Sequence, residues 1–589
     1  MPQQFIAKLY PAVTQNDAAQ PTLGICLSGG GSRALTCALG QLSELNAMTM
    51  PNGQPILSPS QYISSVSGGS WASLLYTFLP YTINGTNVSD ADFLIQPVPP
   101  QSLTKGAPTD NTPGNVSYIA QYCMGTTPQQ FSFSNIGVFL KTLMDSGFFD
   151  NPSQYSWFWI AGIGEIVLKP FALYSATYNS LSPPFVLPSL MFSLSTTEVK
   201  QNIKKYNPSL FPSDFYLARE GRPSLVVNTN LLENYKIGSS PQIPVQATPI
   251  ATSVLGKSPD GTVVGGGGVE SFGFTSTLIG AGVMDGTASI STNRNYSLCD
   301  IGGCSSAFFA ALLLQYIDDA VDEIGDELVD YLVNDLHWWR PFAELVGAAV
   351  EAAIESFTND AADVIPVYNY WPAGQVSEPS HKTFGFSDGG SFDNTGILGL
   401  LAQTNVNKII SFVNTETPLS GTATDLTLDN SIGLLFGYGG AGPGDLTKVQ
   451  VFNDVNPLYP GGAFAAAQAG LYEASCGGGS TLGTATAAFL QKGLVTIANP
   501  VANIAAGRVV DVLWVYNNPV SNWQKAITDP GIQADLAQVS DPTTPLWNFP
   551  NYFTGEQIYL GVEAVNMLAQ LSAWNVQQLS ETITEWLSS

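Results

Sequence analysis

Apolar residues follow two rhythms along this chain: short unbroken runs, and stretches with a period near 3.6. An unbroken run bounded by turn residues reads as a strand buried on both faces, whereas i, i+3, i+4, i+7 spacing reads as an amphipathic helix. Strand-like runs fall at 22–28, 62–66, 224–229, 384–387, 408–413 and 509–516. After the first, Leu35, Ala38, Leu39, Leu42 and Leu45 recur at helical spacing; after the second, Trp71, Leu74, Leu75 and Phe78 do so. Strand followed by helix predicts an α/β fold with a mostly parallel central sheet and flanking helices. The runs are spread so widely that one elaborated domain over 1–589 is expected, with long insertions between its strands.

Two insertions have patterns of their own. Segment 139–195 is crowded with aromatics, among them Phe148, Tyr155, Trp157, Phe158, Trp159 and Phe171, and is broken by Pro170, Pro183, Pro184 and Pro188. It fits either an internal core of helices and loops or an apolar lid that touches a membrane. Segment 313–360 sets Ile317, Val321, Ile324, Leu328, Leu332 and Leu336 at spacings of four and three, with acids such as Asp318, Asp322, Asp326 and Asp330 on the other faces. That is an acidic amphipathic helix. Its acids lack the Asp-x-Asp-x-Asp-Gly loop that surrounds calcium, so no metal site is expected.

Composition narrows the partners. Hydrophobic residues make up 44% of the 589 and charged residues 11%; 20 Lys and Arg against 46 Asp and Glu leave a net charge of −26. Without a basic stripe, nucleic acid is excluded as a partner and anionic lipid is disfavoured, while neutral or zwitterionic lipid stays open. Long apolar stretches are interrupted by charge or proline, so no transmembrane segment is expected. The first residues lack a basic region followed by an apolar one, so no signal peptide is recognisable, and the compartment stays open. Six cysteines do not make a disulfide framework in so long a chain, although Cys299 and Cys304 are placed to pair around a small loop.

Chemistry concentrates in three places. Leu27-Ser28-Gly29-Gly30-Gly31-Ser32-Arg33-Ala34 bridges the first strand to a helix. Glycines there permit positive φ and leave main-chain N–H groups uncovered, and the helix dipole adds partial positive charge for an anion. The spacing also fits a dinucleotide-binding turn. That reading expects an acid about 20 residues on to hold a ribose, and Met50-Pro51-Asn52-Gly53 supplies none. An oxyanion is therefore the favoured guest, and no cofactor is implied.

The second place is Tyr62-Ile63-Ser64-Ser65-Val66-Ser67-Gly68-Gly69-Ser70-Trp71, a strand, small residues, then a helix. A sharp strand-to-helix turn exposes a serine hydroxyl and demands small neighbours two residues either side. Ser67 fits, flanked by Ser65 and Gly69, although an ordinary Ser/Gly turn reads the same when taken alone. A serine needs a base, and the chain has two histidines, His337 and His381. His337 sits in the acidic helical insertion, whereas His381 lies near a core strand and leaves a Ser-His-Asp triad open. The stronger base is the third place, Asp388 of Phe384-Gly385-Phe386-Ser387-Asp388-Gly389-Gly390, directly after a strand and before a glycine pair.

Together, Ser28-Gly29-Gly30-Gly31-Ser32-Arg33-Ala34, Ser67-Gly68-Gly69-Ser70-Trp71 and Ser387-Asp388-Gly389-Gly390 resemble the catalytic domain shared by cytosolic phospholipase A2 and fungal phospholipase B, with patatin more distant. The resemblance spans residues 22 to 400. It implies a lipid acyl hydrolase acting on (lyso)phospholipid esters at a membrane or micelle surface, without a cofactor, through an acyl-enzyme. Ser67 would then be the nucleophile, Asp388 the base of a dyad without histidine, and the N–H groups of Gly30 and Gly31 the oxyanion hole. Arg33 would hold the loop or a substrate phosphate, and Gly29, Gly68, Gly69, Gly389 and Gly390 would support the turns. Calcium-dependent members carry an N-terminal lipid-docking domain; with 21 residues before the first strand-like run, calcium-triggered recruitment is not expected. Acyl transfer to an alcohol or thiol, cleavage of a small ester or lactone, and an inactive lipid-binding scaffold remain as alternatives.

Overall fold

The computed structural model describes residues 2–10, 22–50, 52–59, 61–150, 152–175, 190–232, 242–254, 256, 266–284, 286–310, 321–334, 340, 365–373, 382–439, 449–555 and 557–588. Fourteen strands form one sheet. In chain order they are β1 (Gln3–Tyr10), β2 (Thr22–Leu27), β3 (Tyr62–Val66), β4 (Ser224–Leu232), β5 (Gln242–Ala247), β6 (Ala251–Ser253) and β7 (Gly268–Glu270). There follow β8 (Thr277–Met284), β9 (Thr287–Thr292), β10 (Val367–Tyr370), β11 (Lys382–Asp388), β12 (Val406–Val413), β13 (Ala487–Val495) and β14 (Val509–Tyr516). The spatial order is β8-β9-β1-β7-β6-β5-β4-β3-β2-β12-β14-β13, with β11 pairing both β4 and β10.

The centre, β4-β3-β2-β12-β14, is parallel throughout. Residues along these strands alternate between two hydrophobic clusters: Ile25, Ile63, Val227, Phe412 and Leu513 enter one, and Cys26, Tyr62, Val226, Ile409 and Trp514 the other. Burial on both faces explains the unbroken apolar runs. The expected parallel order is confined to this centre. Antiparallel pairs build both flanks, from β5 outward to β8 on one side and at β13 on the other. Short connections permit that arrangement, since antiparallel neighbours need no crossover helix. A strand also precedes the expected first one: β1 pairs with β9 and β7.

Helices cover the sheet. The first three to matter are α1 (Gly31–Ala47), α2 (Gly68–Phe78) and α3 (Phe133–Asp145), followed by α4 (Leu298–Ser305), α5 (Val321–Asn334) and α6 (Val562–Gln578). α1 lies against α6 and α2, and α5 against α3. Trp71, Leu74, Leu75 and Phe78 anchor α2 in the larger cluster, each worth about 1.5–3 kcal/mol relative to exposure. In 139–195, the described Phe148, Phe158, Trp159 and Phe171 are buried in that same cluster. Tyr178, Phe185, Pro183, Pro184 and Pro188 lie outside the described residues. In 313–360, α5 buries Ile324 and Leu328 and exposes Asp326, Glu327 and Asp330; the rest of that segment, except Arg340, lies outside the described residues.

All six cysteines are buried free thiols, so Cys299 and Cys304, which could have closed a small loop, are not paired. Both lie on α4, where five positions along a helix turn two side chains to different faces. Among the described residues, no helix is long and apolar enough to cross a membrane.

Candidate active site

Two strands end nose to nose beside β4. β3 runs parallel to β4 and stops with Val66 opposite Asn228. β11 runs antiparallel to β4 and stops with Asp388 opposite Thr229. The residue after β3 is therefore carried to the carboxylate that ends β11. Ser67 Oγ donates to Asp388 Oδ2 at 3.0 Å.

Ser67 occupies φ 52°, ψ −123°, a backbone conformation that a side chain rarely adopts. Such strain, on the order of 1–3 kcal/mol, persists only where the surroundings enforce it. Here the turn is wedged under the glycine loop: a Cβ on Gly68 would meet the Gly31 carbonyl, and one on Gly69 the carbonyls of Leu27 and Ser28. α2 starts at Gly68, so its positive end faces Ser67.

Asp388 is held on several sides. Its Oδ1 accepts the Gly390 N–H at 2.8 Å, and Asn230 Nδ2 donates to its main-chain carbonyl at 2.7 Å. The carboxyl is 4% exposed, and Ser67 is 3% exposed. Desolvation pushes the Asp388 pKa up to about 7, against the lowering influence of the Gly390 N–H, the Ser67 hydroxyl and the Phe308 N–H. A carboxylate poised near neutrality accepts a proton far more readily than one at its ordinary value.

The glycine loop closes the site. Gly30 and Gly31 have φ 131° and 51°, conformations that glycine alone adopts without strain. The Gly29 N–H is consumed by the Asn394 carbonyl at 3.1 Å. Among the described residues, no acceptor is paired with the N–H groups of Gly30 or Gly31. A Cβ on Gly29 would lie 3.0 Å from Ser67 Cβ, and one on Gly68 2.6 Å from the Gly31 nitrogen, so the loop and the Ser67 turn are in direct contact. The Gly30 carbonyl accepts from Thr554 Oγ1 at 2.9 Å and from the Ala34 N–H at 3.1 Å.

Arg33 is buried beneath this loop. Its guanidinium donates to the carbonyls of Asn414 and Tyr552, to Thr554 Oγ1 at 2.9 Å and to Glu416 at 3.1 Å. Burial lowers its pKa, which Glu416 opposes. Four acceptors, all from the protein, surround this side chain.

The three motifs thus converge: Ser67, Asp388, Gly29, Gly30, Gly31, Gly68, Gly69, Gly389, Gly390 and Arg33 form one site. His337 and His381 lie outside the described residues. Asn230, Asn394, Ser305 and Thr554 are parts of the site that the motifs do not contain. Asn228-Thr229-Asn230 is a visible signal, three polar residues interrupting an otherwise apolar run; nothing near Thr554 announces it. A cavity of about 320 Å³ lined by Asp92, Asn115, Cys123 and Gln570 shares no residue with this site.

The chain is similar to human GIVD cytosolic phospholipase A2. The TM-score is 0.47 at 14% identity, over 98% of this chain and 61% of that one. The same human enzyme in complex with methyl gamma-linolenyl fluorophosphonate gives 0.44 at 14% identity, over 96% and 59%. Lysophospholipase 1 of Candida albicans is 43% identical over 56 residues, 9% of this chain and 9% of that protein. This chain therefore spans about six tenths of the human enzyme, and the Candida similarity is local. No family model matches it.

Proposed function

We propose that this protein hydrolyses carboxylic ester bonds of phospholipids or lysophospholipids through a Ser67–Asp388 dyad and an acyl-enzyme. The observation that carries the reading is the 3.0 Å bond from a strained, elbow-borne serine hydroxyl to a carboxyl with a pKa of about 7, beside two glycine N–H groups that have no acceptor among the described residues. Asp388 takes the Ser67 proton as Oγ attacks the ester carbonyl. The N–H groups of Gly30 and Gly31 hold the resulting oxyanion, each donor lowering the barrier by about 3 kcal/mol. Collapse expels the alcohol, which receives the proton from Asp388. Water then attacks the acyl-Ser67 carbonyl with Asp388 again as base, and fatty acid leaves as Ser67 regains its proton.

A phospholipid substrate is supported by the local similarity to the Candida albicans lysophospholipase and by the three-motif resemblance. A net charge of −26 favours neutral or zwitterionic surfaces over anionic ones. Mass spectrometry of products from phosphatidylcholine, lysophosphatidylcholine and a neutral glyceride, with and without an added alcohol acceptor, tests the proposal. Free fatty acid from the phospholipids is the expected product. Acyl-alcohol as the main product would make the protein a transferase, and substantial turnover by Ser67→Ala would overturn the dyad.

A further inference from the structure

Ser305, the last residue of α4, is buried where both halves of the dyad meet. Its Oγ accepts the Ser67 main-chain N–H at 3.0 Å, donates to the Asn228 carbonyl at 2.7 Å and lies 2.8 Å from Ser70 Oγ. A hydroxyl has one proton and two lone pairs. With the proton on Asn228, one lone pair accepts from the Ser67 N–H and the other faces Ser70 Oγ, whose hydroxyl also lies 3.2 Å from Ser65 Oγ. Its main-chain carbonyl accepts the Gly389 N–H at 3.2 Å, next to Asp388. One residue therefore grips the nucleophile's backbone with its side chain and the base's loop with its backbone.

The grip is fixed from behind. At its other end, α4 is capped by Ser297 with Asp300. Asp300 is fully buried, bonded by both Arg294 Nη atoms and by the Tyr368 hydroxyl at 2.6 Å. This end of the helix is anchored by Arg294 and by Tyr368 of β10, away from Ser67 and Asp388 themselves, so it can serve as a reference against which both strand ends are set. The backbone it holds is the strained one, φ 52° at Ser67, which relaxes unless something outside the turn restrains it.

We infer that Ser305 is a positioning residue, whose hydroxyl keeps Ser67 in its strained conformation and so maintains the alignment of Ser67 Oγ with Asp388. The inference rests on the esterase reading above. It acts through Ser67 and Gly389 and places no atom on substrate.

Steady-state hydrolysis of a medium-chain p-nitrophenyl ester and the rate of labelling by a long-chain alkyl fluorophosphonate test it. Ser305→Ala is expected to lower kcat and the labelling rate together by about 10- to 100-fold, as small misplacements of reacting groups do, with KM within about twofold. Ser305→Thr, which keeps the hydroxyl, is expected to recover to within about threefold of wild type. Ser306→Ala removes a hydroxyl one position on, which accepts from the indoles of Trp71 and Trp159 at 2.9 and 3.1 Å. It is expected to lower Tm while leaving kcat per folded molecule unchanged. A wild-type kcat in folded Ser305→Ala overturns the inference. Should that variant not fold, Ser305→Cys decides, because it keeps the volume but offers a much weaker acceptor: a fall in kcat at constant KM supports the inference, and unchanged kcat overturns it. Wild-type protein that neither turns over ester nor takes the label fails the esterase reading itself, an outcome distinct from failure of Ser305 alone.

Discussion

Ser67 and Asp388 meet at 3.0 Å because the strands that deliver them run toward each other along one side of β4 and stop at consecutive positions, opposite Asn228 and Thr229. Neither strand end reaches the other without β4 as the ruler. The separation between nucleophile and base is thus set by sheet register, which is stiff, and by side-chain rotamers only in the last step.

Removing either partner is expected to abolish turnover. Ser67→Ala and Asp388→Asn each reduce kcat at least about 1,000-fold, the scale seen when a nucleophile or its base is deleted. Fluorophosphonate labelling disappears in Ser67→Ala. Residual activity above that level in either purified variant contradicts the dyad.

Asp388→Asn is also expected to be more stable than wild type, and increasingly so as pH rises. The carboxyl titrates at about 7 when folded against a reference value of 3.8, so between those pH values the folded protein holds a proton that the unfolded chain has released. Folding is opposed more as pH climbs through that window, by up to about 4 kcal/mol at pH 8. Calorimetric Tm differences between variant and wild type should be near zero at pH 4 and largest above pH 7. A difference independent of pH removes the burial argument.

Activity itself should follow the opposite limb. Asp388 works as a base only when ionised, so kcat/KM is expected to rise with pH and level off above a midpoint near 7. A profile already flat at pH 5 means that the base has an ordinary carboxylate pKa.

Gly31→Ala combines two penalties. Alanine at φ 51° is strained, and its methyl would meet Thr554 Cγ2 and stand 2.8 Å from the Phe309 ring. Displacing the loop removes an oxyanion donor, so kcat is expected to fall at least about 100-fold with little change in KM. Near-normal kcat would place the oxyanion elsewhere.

Arg33→Lys separates bracing from headgroup binding. One ammonium cannot reach the acceptors that the guanidinium fork joins, so a loss of about 2–3 kcal/mol in stability is expected. Activity should drop by the same factor on phospholipid and neutral ester. A loss confined to phospholipid assigns Arg33 to the phosphate.

The parallel centre of the sheet was legible because strands buried on both faces write themselves as unbroken apolar runs; 62–66 and 509–516 match β3 and β14 end for end. The antiparallel flank was not. β6 and β7 have three residues each, built from Ala, Thr, Ser, Gly, Val and Glu, too short to display a period. In the site, Ser67, Asp388, Gly30 and Gly31 were legible because their chemistry needs particular neighbours next to them in the chain. Ser305 and Thr554 act on main-chain atoms of residues far away in sequence, and such contacts leave no local spacing to read. Arg33 was visible as a charge, while its role depended on acceptors at 414–416 and 552–554.

Those last acceptors give the molecule an order of assembly. The nucleophile, the base and all three glycines leave the ribosome before Tyr552, Thr554 and Ile558, which bond Arg33, the Gly30 carbonyl and Ser32. A growing chain therefore carries Ser67 and Asp388 while the glycine loop still lacks the residues that clasp it from 552–558.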